Sequence, residues 1–398
     1  MRILMISDVY FPRINGVSTS IQIFRQELIR LGHQVTLIAP DYGEQAEEKD
    51  IIRIPARKVL FDPEDRFMQS RAIKALVPKL KADNYDIIHI QTPFVAHYLG
   101  TYLARRLNLP CIETYHTFFE EYLYHYVPFI PRPWMRAIAR LFTRKQCNAV
   151  DAVVVPSTAM QAVLKNYGVT QIMQIIPTGL ELENFKDCDG QQFRQQHGVD
   201  AKRPVLVHIG RVAYEKNIHF ILNMLSQLKK SVPNVLLIIA GEGPALASLK
   251  KQVKQQSLTD NVLFVGYLSR ADALLNCYCA GDVFVFSSRT ETQGLVLLEA
   301  MALGVPVVST AVMGTIDILT PRRGALVSPE EPQIFADNVK RIIENPFLRE
   351  RLSKEAKQYV QNWTAPTMAQ QMAAFYDSLV PSNTASEIEP VSRSLNSR

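Results

Sequence analysis

Short apolar runs alternate with longer amphipathic stretches along most of the chain. In the first half the runs are Ile3–Ile6, Val35–Ile38, Ile87–Ile90, Cys111–Glu113 and Val153–Val155. A second series opens at Val205 (VLVHIGRV) and continues with Val235–Ala240, Val262–Val265, Val283–Phe286 and Val305–Ser309. Runs this short, with no polar alternation, fit strands buried on both faces, and the amphipathic stretches between them fit crossover helices. The pattern therefore predicts βαβ units on parallel sheets, an α/β chain of two Rossmann-like domains. Between the two series lies IIPTGLELENFKDCDG (Ile175–Gly190), whose proline, glycines and scattered charge suit an interdomain linker. In the first unit, Asn15-Gly16 is a turn dipeptide, and Ser18 and Thr19 are expected to cap a helix running to Leu31.

Composition narrows the class. At 398 residues with 47% apolar content, the chain is long enough for two cores and too apolar to be disordered. No apolar run approaches the roughly 20 residues of a spanning helix, and MRILMISDVYF reads as a first strand rather than a secretory leader. Five scattered cysteines (Cys111, Cys147, Cys188, Cys277, Cys279) are expected to be reduced thiols, which points to a cytoplasmic protein. The formal charge of +6 is modest, so its placement matters more than its sum, and no nucleic-acid partner is expected.

Ligands of parallel α/β sheets bind outside the carboxyl ends of the strands, so chemistry is sought there. Phe286 to Gly304 reads FSSRTETQGLVLLEAMALG, with Glu291 and Glu299 in a strand–loop–helix setting. The backbone N–H groups of Gly294 and Leu295, at the helix start, would face an anion. The two carboxylates suit hydroxyl groups on either side of it, which is the layout of a nucleotide sugar. The plainer alternative is an ordinary amphipathic helix with solvated glutamates. Arg211 and Lys216 in GRVAYEKN follow a strand and suit a diphosphate, although such a pair is usually just solvated. Gly241-Glu242-Gly243-Pro244 lacks the third glycine of a dinucleotide fingerprint and reads as a tight turn. His116 (CIETYHTFF) stands at a strand's carboxyl end, His89 (DIIHIQTPF) has similar placement, and His33 reads as a helix exit. Asp187-Cys188-Asp189 reads as loop, and no metal site is proposed.

Tyr122 to Val150 contains Arg132, Arg136, Arg140, Arg144 and Lys145 and no acid. On a helix the four arginines form one stripe, and Trp134, Ile138, Leu141 and Phe142 another. A basic amphipathic helix with Trp and Phe is expected to meet an anionic membrane surface. The alternative is a helix packed on its own domain, its arginines solvated or binding acceptor phosphate.

The Phe286–Gly304 stretch resembles the E-x7-E signature of retaining GT-B glycosyltransferases, the fourth sequence family, which uses UDP- or GDP-sugars. That family usually shows Glu-Gly-Phe-Gly where this chain has Glu291-Thr292-Gln293-Gly294, so the changed middle pair lies where donor or acceptor selectivity is set. The resemblance implies a GT-B fold with its site in the interdomain cleft. Its implied domains are 1–178 for the acceptor, 179–362 for the donor and a helix over 363–380 crossing back, while the tail over 381–398, rich in Ser, Asn and Glu, reads as disordered by composition. It implies that Arg211 and Lys216 clamp the donor phosphates and that the loop at Gly16 closes on them. By the same likeness Glu291 holds the hexose, Glu299 the ribose, the backbone at Tyr267 the base, and His116 stabilises the transferred hexose. No cofactor is implied beyond a nucleotide-sugar co-substrate, UDP-hexose in the first instance. Glu113–Tyr126, ETYHTFFEEYLYHY, is similar to bacterial diacylglycerol glucosyltransferases, which implies a lipid acceptor and peripheral attachment to the cytoplasmic membrane face. On that likeness Glu120 and Glu121 are candidate acceptor contacts. Two alternatives stay open: a soluble, polysaccharide or phosphoinositol-type acceptor, with GDP-mannose as donor, and a nucleotide-sugar epimerase of the same architecture. No lysine carries a pyridoxal-phosphate signal, which disfavours a phosphorylase. The sugar, the linkage and the oligomeric state are not encoded in these motifs.

Overall fold

The structure is a computed structural model and describes residues 1–43, 48–58, 66–116, 118, 132–269 and 272–380. The strands of the first half are β1 (Arg2–Ile6), β2 (Gln34–Pro40), β3 (Ile51–Ile54), β4 (Ala56–Lys58), β5 (Arg66–Met68), β6 (Ile87–Ile90), β7 (Cys111–Thr114), β8 (Ala152–Val155) and β9 (Ile172–Ile175). Seven of them form a parallel sheet of order β3-β2-β1-β6-β7-β8-β9, and β4 and β5 form a separate antiparallel pair. The second half contributes β10 (Val205–Ile209), β11 (Leu236–Ala240), β12 (Val262–Gly266), β13 (Val283–Phe286), β14 (Val307–Ser309) and β15 (Ala325–Val327), in the parallel order β12-β11-β10-β13-β14-β15. Both expected Rossmann-like domains are present. In each, the strand order reverses beside the first strand, between β1 and β6 and between β10 and β13, and those two crevices position the site.

Most runs that announced strands belong to central, doubly buried ones, since β6, β8, β10, β11 and β13 are buried at every position, while β12 is an announced edge strand that is part-exposed throughout. The strands β3, β9 and β15, three of the four sheet edges, gave no such run, nor did the β4–β5 pair, and their residues are mostly part-exposed or exposed. An edge strand has a neighbour on one side only and need not be apolar throughout.

Two chain crossings join the domains, and they lie side by side. The N–H of Leu180 donates to Trp363 O and that of Ala365 to Leu180 O, both at 2.8 Å. A Cβ on Gly179 would sit 2.5 Å from Thr364 O, so the close approach of the crossings requires glycine there. After the second crossing, the helix Ala365–Leu379 packs Met368, Met372 and Tyr376 against Ile3, Met5 and Leu37 of the first sheet. His89 fixes this docking: one ring nitrogen meets Tyr376 Oη and the other Thr114 Oγ1, each at 2.6 Å. Burial lowers its pKa to about 3. His89 is thus a structural residue rather than a second catalytic candidate.

Two expectations are corrected. Asn15, not Ser18 or Thr19, caps the Gly16–Arg30 helix: its side chain accepts the Ser18 N–H at 2.8 Å, and Ser18 Oγ accepts the Asn15 N–H at 2.9 Å. The cysteines are not all thiols. Cys188 and Cys279 form a disulfide with a Cα–Cα separation of 6.2 Å, while Cys111, Cys147 and Cys277 are buried and free. The chain after the first crossing runs against the end of the Asp272–Cys279 helix so closely that a Cβ on Gly190 would fall 2.1 Å from Cys279 O. That proximity, between residues 91 positions apart, is invisible to spacing rules. The flanking acids are loop residues, as read: Asp189 accepts the Gln192 N–H at 2.8 Å and starts a short helix.

Candidate active site

At the β13 end, the loop Glu291–Gly294 leads into the helix Leu295–Ala302, with Gly294 at the N-cap in the left-handed region (φ 102°). That φ, with Thr315 Cγ2 3.0 Å from a would-be Cβ, makes glycine necessary there. The loop is held from behind, where the Gly314 N–H donates to Glu291 O at 2.8 Å. Glu291 pairs with Lys216 across 75 positions, and both side chains are mostly buried. Lys216 ends the 3-10 turn Tyr214–Lys216, three residues after Arg211–Ala213 at the β10 end. The candidate phosphate cation and the candidate sugar carboxylate therefore meet at the β10/β13 crevice. Arg211 lies on the same loop and is an exposed residue.

The loops after β10, β11 and β12 stand in register. The Gly210 N–H donates to Ala240 O at 3.0 Å and the Gly241 N–H to Gly266 O at 2.7 Å. A Cβ on Gly241 would fall 1.9 Å from Gly210 O, so the Gly241–Gly243 turn is a packing device between neighbouring loops. Tyr267 follows β12 at the outer end of this row, largely exposed. The second carboxylate, Glu299, is buried inside its helix and accepts a hydrogen bond from Tyr278 Oη at 2.6 Å.

From the first domain, His116 follows β7, and its Nε2 lies 3.1 Å from Gln91 Oε1. With that oxygen as acceptor, Nε2 carries the proton and Nδ1 keeps a lone pair. Burial lowers the His116 pKa to about 4, so the ring is neutral near pH 7 and acts as a hydrogen-bonding group rather than a cation. The carbonyl of His116 accepts from Thr292 Oγ1 at 3.2 Å, which brings the histidine to the Glu291 loop. Gly16 opens the helix after β1, on the crevice between β1 and β6. Asp8, also after β1, accepts the Ala96 N–H with both oxygens at 3.1 Å and binds Thr92 Oγ1 at 2.8 Å. Burial, opposed by these bonds, raises its pKa to about 7.

The basic residues lie on the helix Arg132–Cys147. Met135, Ala139, Thr143 and Gln146 are its buried face. Trp134, Ile138 and Leu141 are 71%, 54% and 65% exposed, so this apolar row does not pack on its own domain. Phe142, grouped with them by spacing, is only part-exposed. At about 3.6 residues per turn, Arg136, Arg140 and Arg144 run along the other side of the solvent-facing line, and Lys145 extends the apolar row. The Arg140 guanidinium also lies 5.3 Å over the Tyr167 ring. Of Arg132 only the backbone is described, and the Glu120 and Glu121 candidates, with most of Glu113–Tyr126, fall outside the described residues.

Sequence reasoning missed Gln91, Tyr278 and His208. Gln91 directly follows β6, so the strand-end rule could have found it. His208, fully buried at the β10/β13 crevice, binds Val285 O through Nδ1 at 3.0 Å, and burial lowers its pKa to about 4. Its strand looked like uniform core, and nothing in the local pattern flagged it.

Two Rossmann-like parallel-sheet domains, with the candidate donor residues gathered at the strand ends, make up the GT-B architecture of a glycosyltransferase. The chain belongs to the glycosyl transferases group 1 family, whose pattern matches residues 189–359, and residues 14–184 match glycosyltransferase family 4. It is a hexosyltransferase and is similar to alpha-monoglucosyldiacylglycerol synthase of Streptococcus pneumoniae: 35% identical over 318 residues, which is 78% of this chain and 71% of the relative. A GDP-mannose-dependent alpha-mannosyltransferase of Mycobacterium tuberculosis is 28% identical over 95% of this chain and 97% of its own. Among solved structures, an Anabaena protein in complex with UDP and glucose superimposes with a TM-score of 0.76 over 95% of this chain and 100% of its own, at 19% identity.

Proposed function

We propose that this enzyme transfers glucose from UDP-glucose, with retention at the anomeric carbon, to a membrane lipid such as diacylglycerol. The observation that carries the lipid acceptor is the helix Arg132–Cys147, which leaves Trp134, Ile138 and Leu141 in solvent beside a row of arginines. An exposed apolar row of this size on a basic helix fits an interfacial anchor, and each arginine adds on the order of 1 kcal/mol near an anionic leaflet. The chain then sits peripherally on the membrane, in keeping with the lipid product named for the synthase relative.

In this reading Lys216 and Arg211 neutralise charge developing on the departing UDP. The N–H groups of Gly294 and Leu295 bind the same diphosphate, and the Gly16 loop closes on it from the first domain. Glu291 accepts hydroxyls of the hexose and Glu299 those of the ribose, while the backbone at Tyr267 holds the base. His116 donates to the hexose and steadies the transition state. The Lys216–Glu291 contact supports this division, because it places the phosphate ligand and the sugar ligand side by side at one crevice. No side chain serves as a covalent nucleophile: the acceptor hydroxyl attacks on the face that the phosphate leaves, and that phosphate takes its proton. Closure of the two domains excludes water and limits donor hydrolysis.

A second reading, mannosyl transfer from GDP-mannose, is favoured by the mannosyltransferase relative that spans almost the whole chain. Nucleotide release from a panel of UDP-hexoses and GDP-mannose, with and without anionic vesicles containing diacylglycerol, decides between them. Release from UDP-glucose stimulated by the vesicles supports the lipid reading. Turnover that prefers GDP-mannose, or a soluble acceptor without vesicles, rejects it.

A further inference from the structure

We infer that Gln293 is a positioning residue that ties the donor loop to the hinge between the domains and thereby keeps donor cleavage coupled to acceptor attack. The side chain is 6% exposed and makes two hydrogen bonds to one residue, Thr178. The Thr178 N–H donates to Gln293 Oε1 at 2.8 Å, and Gln293 Nε2 donates to Thr178 O at 2.7 Å. Thr178 immediately precedes Gly179 and Leu180, which lie against the second crossing at Thr364 and Ala365. Thr178 lies between β9 and the Leu180–Thr364 bridge, outside both, and its buried peptide groups must be satisfied. A glutamine amide presents one acceptor and two donors in a plane, so it can complete both peptide groups as another strand would.

The connection continues into the first domain. Thr178 Oγ1 lies 2.7 Å from Ser20 Oγ, both buried, and Ser20 belongs to the helix that Gly16 opens. On the other side of the loop, Thr292 Oγ1 donates to His116 O. The two residues flanked by Glu291 and Gly294 thus grip the hinge and the histidine's backbone, so a rotation of the domains moves the donor loop with them. The positions that depart from the family's Gly-Phe pair act on domain geometry rather than lining a selectivity pocket. The inference rests on Glu291 and Gly294 being donor-sugar ligands.

Full-length wild type, Gln293→Leu and Gln293→Glu are compared for nucleotide released against glycosylated acceptor formed, with donor KM and thermal transitions measured in parallel. Gln293→Leu removes both bonds, and the ratio of nucleotide to product is expected to rise at least fivefold while donor KM moves less than twofold. Gln293→Glu keeps the acceptor for the Thr178 N–H and opposes a carboxylate to Thr178 O, so an intermediate rise is expected. If Gln293→Leu fails to fold, the glutamate variant alone decides. An unchanged ratio in a folded variant, with only a lower melting temperature or less total activity, makes Gln293 merely structural and overturns the inference. Wild type that releases no nucleotide from any UDP- or GDP-hexose is a different failure, because it removes the site reading beneath the inference.

Discussion

The ammonium of Lys216 and the carboxylate of Glu291 form an ion pair between the β10 and β13 ends, with both side chains about four-fifths buried. Each is placed by its own loop, so either can engage a ligand without the other moving far. Replacing Glu291 by Gln keeps the shape and removes the charge. A loss of kcat/KM of about 100-fold or more is expected, in the range found when an electrostatic transition-state contact is deleted. Lys216→Ala is expected to act similarly. Steady-state kinetics with saturating acceptor measures both, and a loss under threefold in either would remove that residue from the site.

Tyr278 positions Glu299 through its 2.6 Å hydrogen bond, inside the core. Tyr278→Phe leaves the packing and deletes one bond to a carboxylate, a loss of about 1.5–3 kcal/mol for a charged partner. If Glu299 holds the ribose, donor KM rises roughly tenfold with kcat little changed. Isothermal titration of UDP into the variant checks the same shift without turnover.

The disulfide between Cys188 and Cys279 closes a loop of 91 positions around the first strands of the donor domain. By chain entropy, a loop of that length is worth about 4–5 kcal/mol. Cys188→Ser is therefore expected to lower the unfolding free energy by several kcal/mol, and reductant is expected to do the same to wild type and nothing to the variant. Urea unfolding with and without dithiothreitol gives the comparison.

Three buried histidines set the acid limb of stability. His89, His116 and His208 have folded pKa values lowered to about 3, 4 and 4 from the ordinary 6.5. Each is neutral in the fold and protonated in the unfolded chain over that interval. Their stability is complete above pH 6.5 and is lost as pH falls toward 4. Asp8, raised to about 7, works the other way: the fold holds its proton more tightly, so it adds stability as pH falls below 7. Replacing His208 by Asn should remove one proton from the difference and flatten the slope between pH 6 and pH 4.5 by about 1.4 kcal/mol per pH unit. Urea midpoints across that range measure it.

Trp134 and Leu141 are exposed enough to be changed without touching the core. Trp134→Ser with Leu141→Ser is expected to leave the melting temperature within about 2 °C. Sedimentation with anionic vesicles should weaken at least tenfold, since each apolar side chain withdrawn from the interface forfeits about 1–2 kcal/mol. Equal sedimentation of variant and wild type would return the helix to an ordinary surface role.

What the sequence revealed was local. Strands buried on both faces, such as Ile87–Ile90 and Val283–Phe286, announce themselves as apolar runs, and strand-end residues such as His116, Lys216 and Glu291 follow from them. The edge strands β3 and β9 carry part-exposed residues and left no run to read. The partnerships that shape the fold and the site were not legible, because each joins residues far apart in the chain: Cys188 with Cys279 in the fold, and Gln91 with His116, Tyr278 with Glu299 and Thr178 with Gln293 around the site. Spacing arguments reach one or two helical turns, and these contacts depend on the assembled fold. The Arg132–Cys147 helix lies between. Its amphipathic pattern was plain in the sequence, but only the fold distinguishes the row that packs from the row left in solvent.

The most direct test of the account is the anomeric configuration of the product made from UDP-glucose and diacylglycerol in anionic vesicles. Proton NMR of the chloroform-extracted product is expected to show an α-linked glucosyl diacylglycerol, matching the configuration of the donor. A β-linked product, or free glucose in the water phase with no glycolipid, would contradict it.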